Sequence, residues 1–166
     1  MNEQIISEQL ATDKAQGLDL MKAGLNITTA DCYLHQSEYG SGLSPNYEVS
    51  FIQPWMNRKK LFTSGYQNIV SWSLTRLLQL MPDKIDGYQF FLTRNATGWQ
   101  TGYVCEAKTD GNRYLHRYFG EDVFEVVIRL LKALIANNQI YDKYIYHPQP
   151  AEPSRPTFGD AFRNVR

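Results

Sequence analysis

The sequence predicts an α+β fold in which an antiparallel β-meander of three or more strands packs against a C-terminal apolar helix. Three strand-like segments follow one another with only short turn-forming stretches between them, at residues 87–93, 99–107 and 113–119. The second stretch contains Asp110-Gly111, a dipeptide that tolerates the positive φ angles of a tight hairpin. Residues 121–137 then carry apolar side chains beyond one helical stripe, so we expect this helix to be buried across the sheet.

Residues 5–60 predict one further helix and one further strand. An interrupted helical stripe that includes Leu10, Leu18 and Met21 predicts a helix over residues 5–23. Residues 47–52 alternate between polar and apolar side chains, which is typical of a strand. Glycines and prolines punctuate the rest of residues 26–60, so we expect loops there.

A third helix is predicted over residues 72–81. Ser71 or Ser73 can cap its first turn, and Pro82 ends it because proline lacks the backbone donor and clashes with the preceding turn. The apolar residues recur at i, i+3, i+4 and i+7, as Leu74, Leu77, Leu78 and Met81.

The closing helix and the tail complete the domain organisation. Acidic residues at the start of 121–137 favour the positive end of the helix dipole, and Asn137 can terminate the helix. Beyond Tyr146 the chain becomes proline-rich, with Phe158 and Phe162 as its large apolar side chains. The sequence therefore predicts a single α+β domain over 1–146 and an extended tail over 147–166.

The charge is balanced overall but distributed unevenly. The chain has 17 Lys and Arg against 17 Asp and Glu. Residues 1–50 carry two bases and seven acids, whereas residues 51–120 carry nine bases and four acids. Two interpretations are open: the acidic and basic parts fold against each other, or the basic part is exposed to an anionic partner.

The expected compartment is the cytoplasm. The first residues show no basic start followed by an apolar run, as a secretory signal would. Charged residues interrupt the longest apolar stretch, around 123–135, so no membrane span is expected. Cys32 and Cys105 are then expected to be reduced thiols.

One candidate for catalysis pairs Cys105 with His116. If Asp110 and Gly111 form a two-residue turn, these side chains lie opposite each other, where an imidazole could activate the thiol. The favoured alternative is a buried structural cysteine beside a core histidine. If Arg94 and Trp99 likewise close the first hairpin, the two registers predict a shared, helix-covered face made of Tyr88, Phe90, Leu92, Tyr103, Cys105, Tyr114, His116 and Tyr118.

No metal or cofactor site is expected. Asp31, Cys32 and His35 are capable ligands, but their spacing falls short of a zinc pattern, and on a strand Cys32 and His35 would face opposite ways. Phosphate-binding glycine loops and common hydrolase motifs are absent from the sequence.

A basic run after Trp55 and the tail aromatics are the candidate contact residues for a partner. Basic residues among aromatics suit phosphate neutralisation and base stacking, as at Arg113 and Arg117, although Arg117 should face away from Tyr118. Eleven tyrosines suit a protein-recognition surface as well. The predicted partner-binding residues are Trp55, Arg58, Lys59, Lys60, Phe158 and Phe162.

The segment Val-Ser-Trp-Ser-Leu-Thr-Arg-Leu-Leu-Gln-Leu-Met-Pro over 70–82, with Gly102-Tyr103 and the closing apolar helix, resembles small uncharacterised proteins of gut bacteria and their prophages. The resemblance covers about residues 30–137. Its motif is a helix cap, so it implies neither an activity nor site residues, and it favours an accessory role on a mobile element.

The sequence thus favours a non-enzymatic accessory or protein-interaction domain with an unknown protein partner. The alternative is a nucleic-acid-binding module that uses Arg58, Lys59, Lys60 and neighbouring aromatics. A cysteine-dependent enzyme using Cys105 and His116 is the third hypothesis.

Overall fold

The computed structural model describes residues 9–36, 47–63, 68–107 and 111–148. Within these ranges the chain folds as an α+β protein with two antiparallel sheets, which confirms the predicted fold class. The helices are α1 (Lys14–Lys22), α2 (Arg58–Thr63), α3 (Leu74–Leu80) and α4 (Val123–Ala136), with short 3₁₀ helices at Ile27–Thr29 and Asp142–Tyr144. The strands are β1 (Cys32–Gln36), β2 (Tyr47–Phe51), β3 (Ile69–Ser71), β4 (Lys84–Ile85), β5 (Tyr88–Asn95), β6 (Gly98–Ala107) and β7 (Gly111–Gly120).

The larger sheet has the order β4-β5-β6-β7, and α4 packs on one of its faces. The predicted register of the first hairpin is confirmed, because Arg94 pairs with Trp99 and Phe90 with Tyr103. Asn95 pairs with Gly98 and its side-chain oxygen accepts a hydrogen bond from the Thr97 backbone at 2.9 Å. A side-chain hydrogen bond of this kind stabilises the tight turn locally.

The predicted register of the second hairpin is wrong. Ala107 pairs with Gly111, so three residues rather than two connect the strands, and Cys105 lies opposite Arg113 instead of His116. Further along, β7 contains a β-bulge between the pairs Thr101–Tyr118 and Tyr103–Leu115. Two residues of β7, His116 and Arg117, there oppose the single Gly102 of β6.

The bulge changes which side chains share a face of the sheet. Strand residues normally alternate between faces, but one extra residue reverses the alternation. Tyr114 and Arg117 therefore lie together on the face opposite α4, where Tyr114 also contacts Phe91. Of the predicted helix-covered face, Tyr114 is thus wrongly assigned, whereas Tyr88, Phe90, Leu92, Tyr103 and Tyr118 all pack in or against the core.

The two predicted helices α3 and α4 are confirmed. Ser73 caps α3 by accepting from the Arg76 backbone at 3.1 Å, and Pro82 follows its end. Asp122 caps α4, and the helix ends at Asn137. Val127, Leu130, Leu131 and Leu134 of α4 are fully buried, as its apolar pattern predicts.

The first helix begins later than the sequence predicts. Asp13 and Gln16 form a capping box, so α1 begins at Lys14, and residues 9–13 are not helical. Thr12 instead donates its backbone N–H to the Trp72 carbonyl at 2.9 Å, which ties this segment to the chain after β3. Residues 1–8 lie outside the described ranges.

The smaller sheet has the order β2-β1-β3 and lies in the region where the sequence predicts mostly loops. The strand predicted at 47–52 is confirmed as β2. The central strand β1 and the helix α2 are corrections to the predicted loops. Cys32 and Leu34 are buried on β1, so pairing on both edges and burial of alternate side chains stabilise a strand that is only five residues long.

No helix in the described ranges has both the length and the apolar composition needed to cross a bilayer. Residues 149–166 lie outside those ranges, and with them Phe158 and Phe162 of the predicted tail.

Candidate functional site

A surface groove lies between β2, α2 and α3 and has a volume of about 550 Å³. Two arginines, Arg58 of α2 and Arg76 of α3, contribute its positive charge. The remaining lining residues are Leu10, Asp31, Phe51, Ser73, Leu74, Thr75 and Gln79. We refer to these nine residues as the arginine groove.

Backbone carbonyls of the 3₁₀ helix hold both guanidinium groups in place. Arg58 donates from Nη1 to the Thr28 carbonyl at 2.6 Å, and Arg76 donates from Nε to the Thr29 carbonyl at 2.7 Å. Arg76 also reaches Gln79 Oε1 at 3.3 Å. Among the described residues, neither arginine forms an ion pair. Each guanidinium has five N–H donors, so both retain donors for an anionic group.

Asp31, the acidic residue among the described lining residues, has another role. Asp31 accepts from the Ser73 backbone N–H at 2.8 Å and from the Ser73 hydroxyl. Ser73 in turn caps α3. The Asp31 carboxylate thus fixes the start of α3 against β1, and within the described part of the chain it forms no ion pair with either arginine.

Exposed apolar side chains surround the cationic part of the groove. Phe51 is 54% exposed at the end of β2, and Leu10 is 63% exposed before α1. Trp55, in the turn between β2 and α2, is 80% exposed. Large exposed apolar groups beside guanidinium groups are typical of binding surfaces, since aromatic residues and arginine supply most interface energy.

The predicted contact residues do not all lie at the groove. The run that begins at Arg58 forms α2 rather than a loop, with Asn57 Oδ1 accepting from the Lys60 backbone at 3.1 Å. Arg58 lines the groove, whereas Trp55 is exposed in the turn between β2 and α2 and is not one of the lining residues. Lys60 is exposed, and the side chain of Lys59 lies outside the described part of the molecule.

Sequence reasoning missed Arg76, Phe51 and Leu10. Leu10 precedes α1, Phe51 ends β2 and Arg76 lies on α3, so residues that are distant in sequence come together at the groove. The helical spacing of the α3 leucines, which places Arg76 on a different face, is the only signal that points to its exposure.

Cys105 and His116 do not form the predicted cross-strand pair. Cys105 lies opposite Arg113, and His116 Nε2 is 2.7 Å from Gln139 Oε1, beyond the end of α4. His116 has a φ of 52° within the bulge, which turns its side chain out of the regular alternation. Cys105 is half-buried, so the prediction that it is a buried core cysteine is wrong. The observed strand register therefore does not provide the thiol–imidazole pair that the hypothesis of a cysteine-dependent enzyme requires.

The other group of possible metal ligands consists of Asp31, Cys32 and His35. Its contacts are those of structural residues. Cys32 is fully buried on β1, whereas His35 lies within hydrogen-bond distance of Ser50 Oγ, at 3.1 Å. The described residues contain no group of three or more His, Cys, Asp and Glu side chains placed to hold a metal ion.

Cys32 is expected to react with a thiol reagent only after unfolding. Burial, followed by the neighbouring Asp31 carboxylate, raises the pKa of the Cys32 thiol to about 12. Because the thiolate is the reactive form, the native thiol should be inert at neutral pH. The measurement is the rate of labelling by a chromogenic disulfide reagent in Cys105→Ser, with and without denaturant. Cys32→Ser is the control, since half-buried Cys105 should label in the native state; rapid native labelling of Cys32 would contradict its burial.

The arginine groove thus combines two hydrogen-bonded guanidinium groups with exposed apolar side chains. Comparison of the chain with models of known protein families, with curated proteins and with solved structures gives no match.

Proposed function

We propose that this chain is a non-enzymatic, cytoplasmic accessory protein whose arginine groove binds an acidic segment of a partner protein. The observation that carries the proposal is the pair Arg58 and Arg76, which face one groove without an ion pair among the described residues. A carboxylate of the partner would supply the missing counter-charge. The resemblance to small prophage proteins favours the accessory role.

The apolar rim defines the partner more closely. An aspartate or glutamate alone would gain little at an exposed site, because water and salt screen the charge. An apolar side chain next to the carboxylate could cover Phe51 and Leu10 and exclude water from the guanidinium contacts. The preferred ligand is therefore a peptide in which acidic and large apolar residues alternate.

The anchoring of the arginines reduces the cost of binding. Both side chains already hydrogen-bond to the carbonyls of Thr28 and Thr29, so part of their rotamer entropy is lost before a partner arrives. Arginine also offers a planar pair of donors to a carboxylate, which lysine cannot reproduce. Replacement of both arginines by lysine should therefore weaken binding although it preserves the charge.

The test is affinity capture from the native lysate, with nuclease treatment, followed by identification of the retained proteins. The baits are the tagged wild type, Arg58→Ala/Arg76→Ala, Arg58→Lys/Arg76→Lys and the control Arg129→Ala. Arg129 is an exposed arginine of α4 that pairs with Glu125, away from the groove. Thermal unfolding of each bait shows whether it is folded.

We expect a set of proteins that survives nuclease treatment, binds the wild type and Arg129→Ala, and is lost from both groove variants. Peptides from that set that are acidic and apolar should then bind the wild type in anisotropy titrations. Equal capture by the wild type and the groove variants would contradict the role of the groove. Loss of all capture after nuclease treatment would instead support the nucleic-acid alternative based on Arg58, Lys59 and Lys60.

A further inference from the structure

A second surface lies on the face of the larger sheet opposite α4. Arg117 of β7 stacks between two rings of the same strand, with its guanidinium carbon 4.1 Å from the Tyr114 ring centre and 4.6 Å from the Phe119 ring centre. Phe91 of β5 extends the row, at 5.9 Å between its ring centre and that of Tyr114. We call Phe91, Tyr114, Arg117 and Phe119 the aromatic row.

The β-bulge of β7 creates this row. In a regular strand Tyr114 and Arg117 would lie on opposite faces, because their separation in sequence is odd. The extra residue at His116 and Arg117, opposite Gly102, brings them to the same face. Bulges frequently redirect side chains at functional sites.

A glutamine fixes the guanidinium of the row. With its amide oriented so that the oxygen faces Arg117, Gln100 accepts from Arg117 Nε at 2.8 Å and from Nη2 at 3.1 Å. Gln100 is buried in β6, so its position is well defined. Arg117 forms no ion pair within the described residues, and its remaining N–H donors are available to a ligand.

The row is open and contains a guanidinium group. Tyr114 is 40% exposed and Phe119 is 51% exposed, whereas the core residues of the other face lie beneath α4. Strand alternation places Lys84, the partner of Gln89 in β4–β5 pairing, on the same face as the row. Among the described side chains of this face, Lys84 and Arg117 carry charge, and both are positive.

We propose that the aromatic row binds single-stranded nucleic acid, a property beyond the groove function and carried by different residues. Unpaired bases would stack on the exposed rings of Tyr114 and Phe119 and beside the half-buried ring of Phe91, and a phosphate or a base edge would accept from Arg117. Stacking platforms of aromatic rings with interleaved cations are the common solution for single strands, because every base offers a π-face. A duplex keeps its bases stacked internally and cannot use the row in this way.

The geometry of the row favours a flat ligand over the acidic peptide proposed for the groove. The guanidinium of Arg117 lies over the Tyr114 and Phe119 rings and is held by Gln100, so ring faces make up most of this surface. A further flat π-system, such as a nucleobase, extends this arrangement directly.

The experiment is fluorescence anisotropy of the full chain with labelled oligonucleotides at several salt concentrations. The probes are a 12-residue oligo(dT), an oligo(rU) of the same length and a matched duplex. We expect the single strands to bind more tightly than the duplex, with a log–log salt slope of about −0.7 per phosphate contact. Tyr114→Ala/Phe119→Ala should weaken single-strand binding roughly tenfold or more, since two stacking contacts are lost.

Three further variants separate the row from the rest of the molecule. Tyr114→Phe retains the ring and should bind like the wild type. Tyr141→Ala/Tyr146→Ala removes two exposed tyrosines outside the sheet and should also leave binding unchanged. Arg58→Ala/Arg76→Ala removes the two groove arginines. If this variant binds the oligonucleotide as the wild type does, the aromatic row acts independently of the groove.

Several outcomes would overturn the proposal. No single-strand binding by the folded wild type at low salt would do so, as would equal binding of single strand and duplex. Binding that is unaffected in Tyr114→Ala/Phe119→Ala would place the nucleic-acid site elsewhere. If the row instead captured a protein in a nuclease-resistant manner and bound no oligonucleotide, it would be a protein surface. Should the double alanine variant fail to fold, Tyr114→Leu, which keeps an apolar side chain without the ring, takes its place.

Discussion

Leu131→Ala is expected to lower the free energy of unfolding by about 2–5 kcal/mol, the usual range for truncation of a core leucine. Leu131 has no exposed surface and belongs to the buried face of α4 with Leu130, Leu134 and Val127. The substitution removes apolar contacts and leaves a cavity in the core against which α4 packs, and both effects are unfavourable. Urea unfolding followed by circular dichroism measures the change.

A second leucine provides the matched control. Leu18 lies on α1 and is 40% exposed. Leu18→Ala removes the same atoms from a position that water already reaches, so we expect a change of about 0.5 kcal/mol or less. An unfolding midpoint for Leu131→Ala equal to that of Leu18→Ala would contradict the packing of α4 on the sheet.

The sequence predicts most accurately those elements that depend on interactions between residues close together in the chain. Helix α4, helix α3 and the β5–β6 hairpin depend on apolar periodicity, caps and turn residues that are close together in sequence. These signals predicted the buried residues of α4 and the pairing of Arg94 with Trp99. They failed where a long-range contact decided the structure.

Two long-range effects explain the main errors. Strand β1 is short and becomes a strand because β2 and β3 pair with its two edges, which no local pattern reveals. The start of α1 depends on Thr12, whose hydroxyl accepts from the Trp72 backbone at 3.0 Å and competes with helix formation. In both cases tertiary hydrogen bonds override local propensity.

The sequence indicates which types of residue the candidate surfaces contain, but not which residues the fold brings together. The sequence predicts Arg58 and Trp55 as contact residues, but Arg76 comes close to Arg58 because both hydrogen-bond to the same 3₁₀ helix. On the larger sheet, strict alternation predicts that Arg117 and Tyr114 lie on opposite faces. The bulge opposite Gly102 places them on the same face. Bulge positions depend on how two strands fit, so single-sequence reasoning had no means to locate this one.

Gly102 is the residue on which the bulge depends, and Gly102→Ala is expected to destabilise the protein by roughly 2–6 kcal/mol. Its φ of +154° is a conformation that residues with a Cβ rarely adopt. A Cβ at this position would lie 2.6 Å from the His116 carbonyl oxygen and 3.1 Å from the Arg117 Cα. Both are backbone atoms of the neighbouring strand and cannot move aside without separating β6 from β7. Chemical unfolding measures the loss of stability.

Gly87→Ala separates conformational strain from collision. Gly87 also has a positive φ, +85°, but a Cβ there would meet no atom within 4 Å. Its substitution should therefore cost only the backbone strain, about 1–3 kcal/mol, and less than Gly102→Ala. Because the bulge aligns Arg117 with Tyr114 and Phe119, any folded Gly102→Ala protein should also lose single-strand binding, whereas Gly87→Ala should retain it. Equal stability of the two variants, with oligonucleotide binding intact in both, would show that the close approach of Gly102 to β7 does not determine the geometry of the aromatic row.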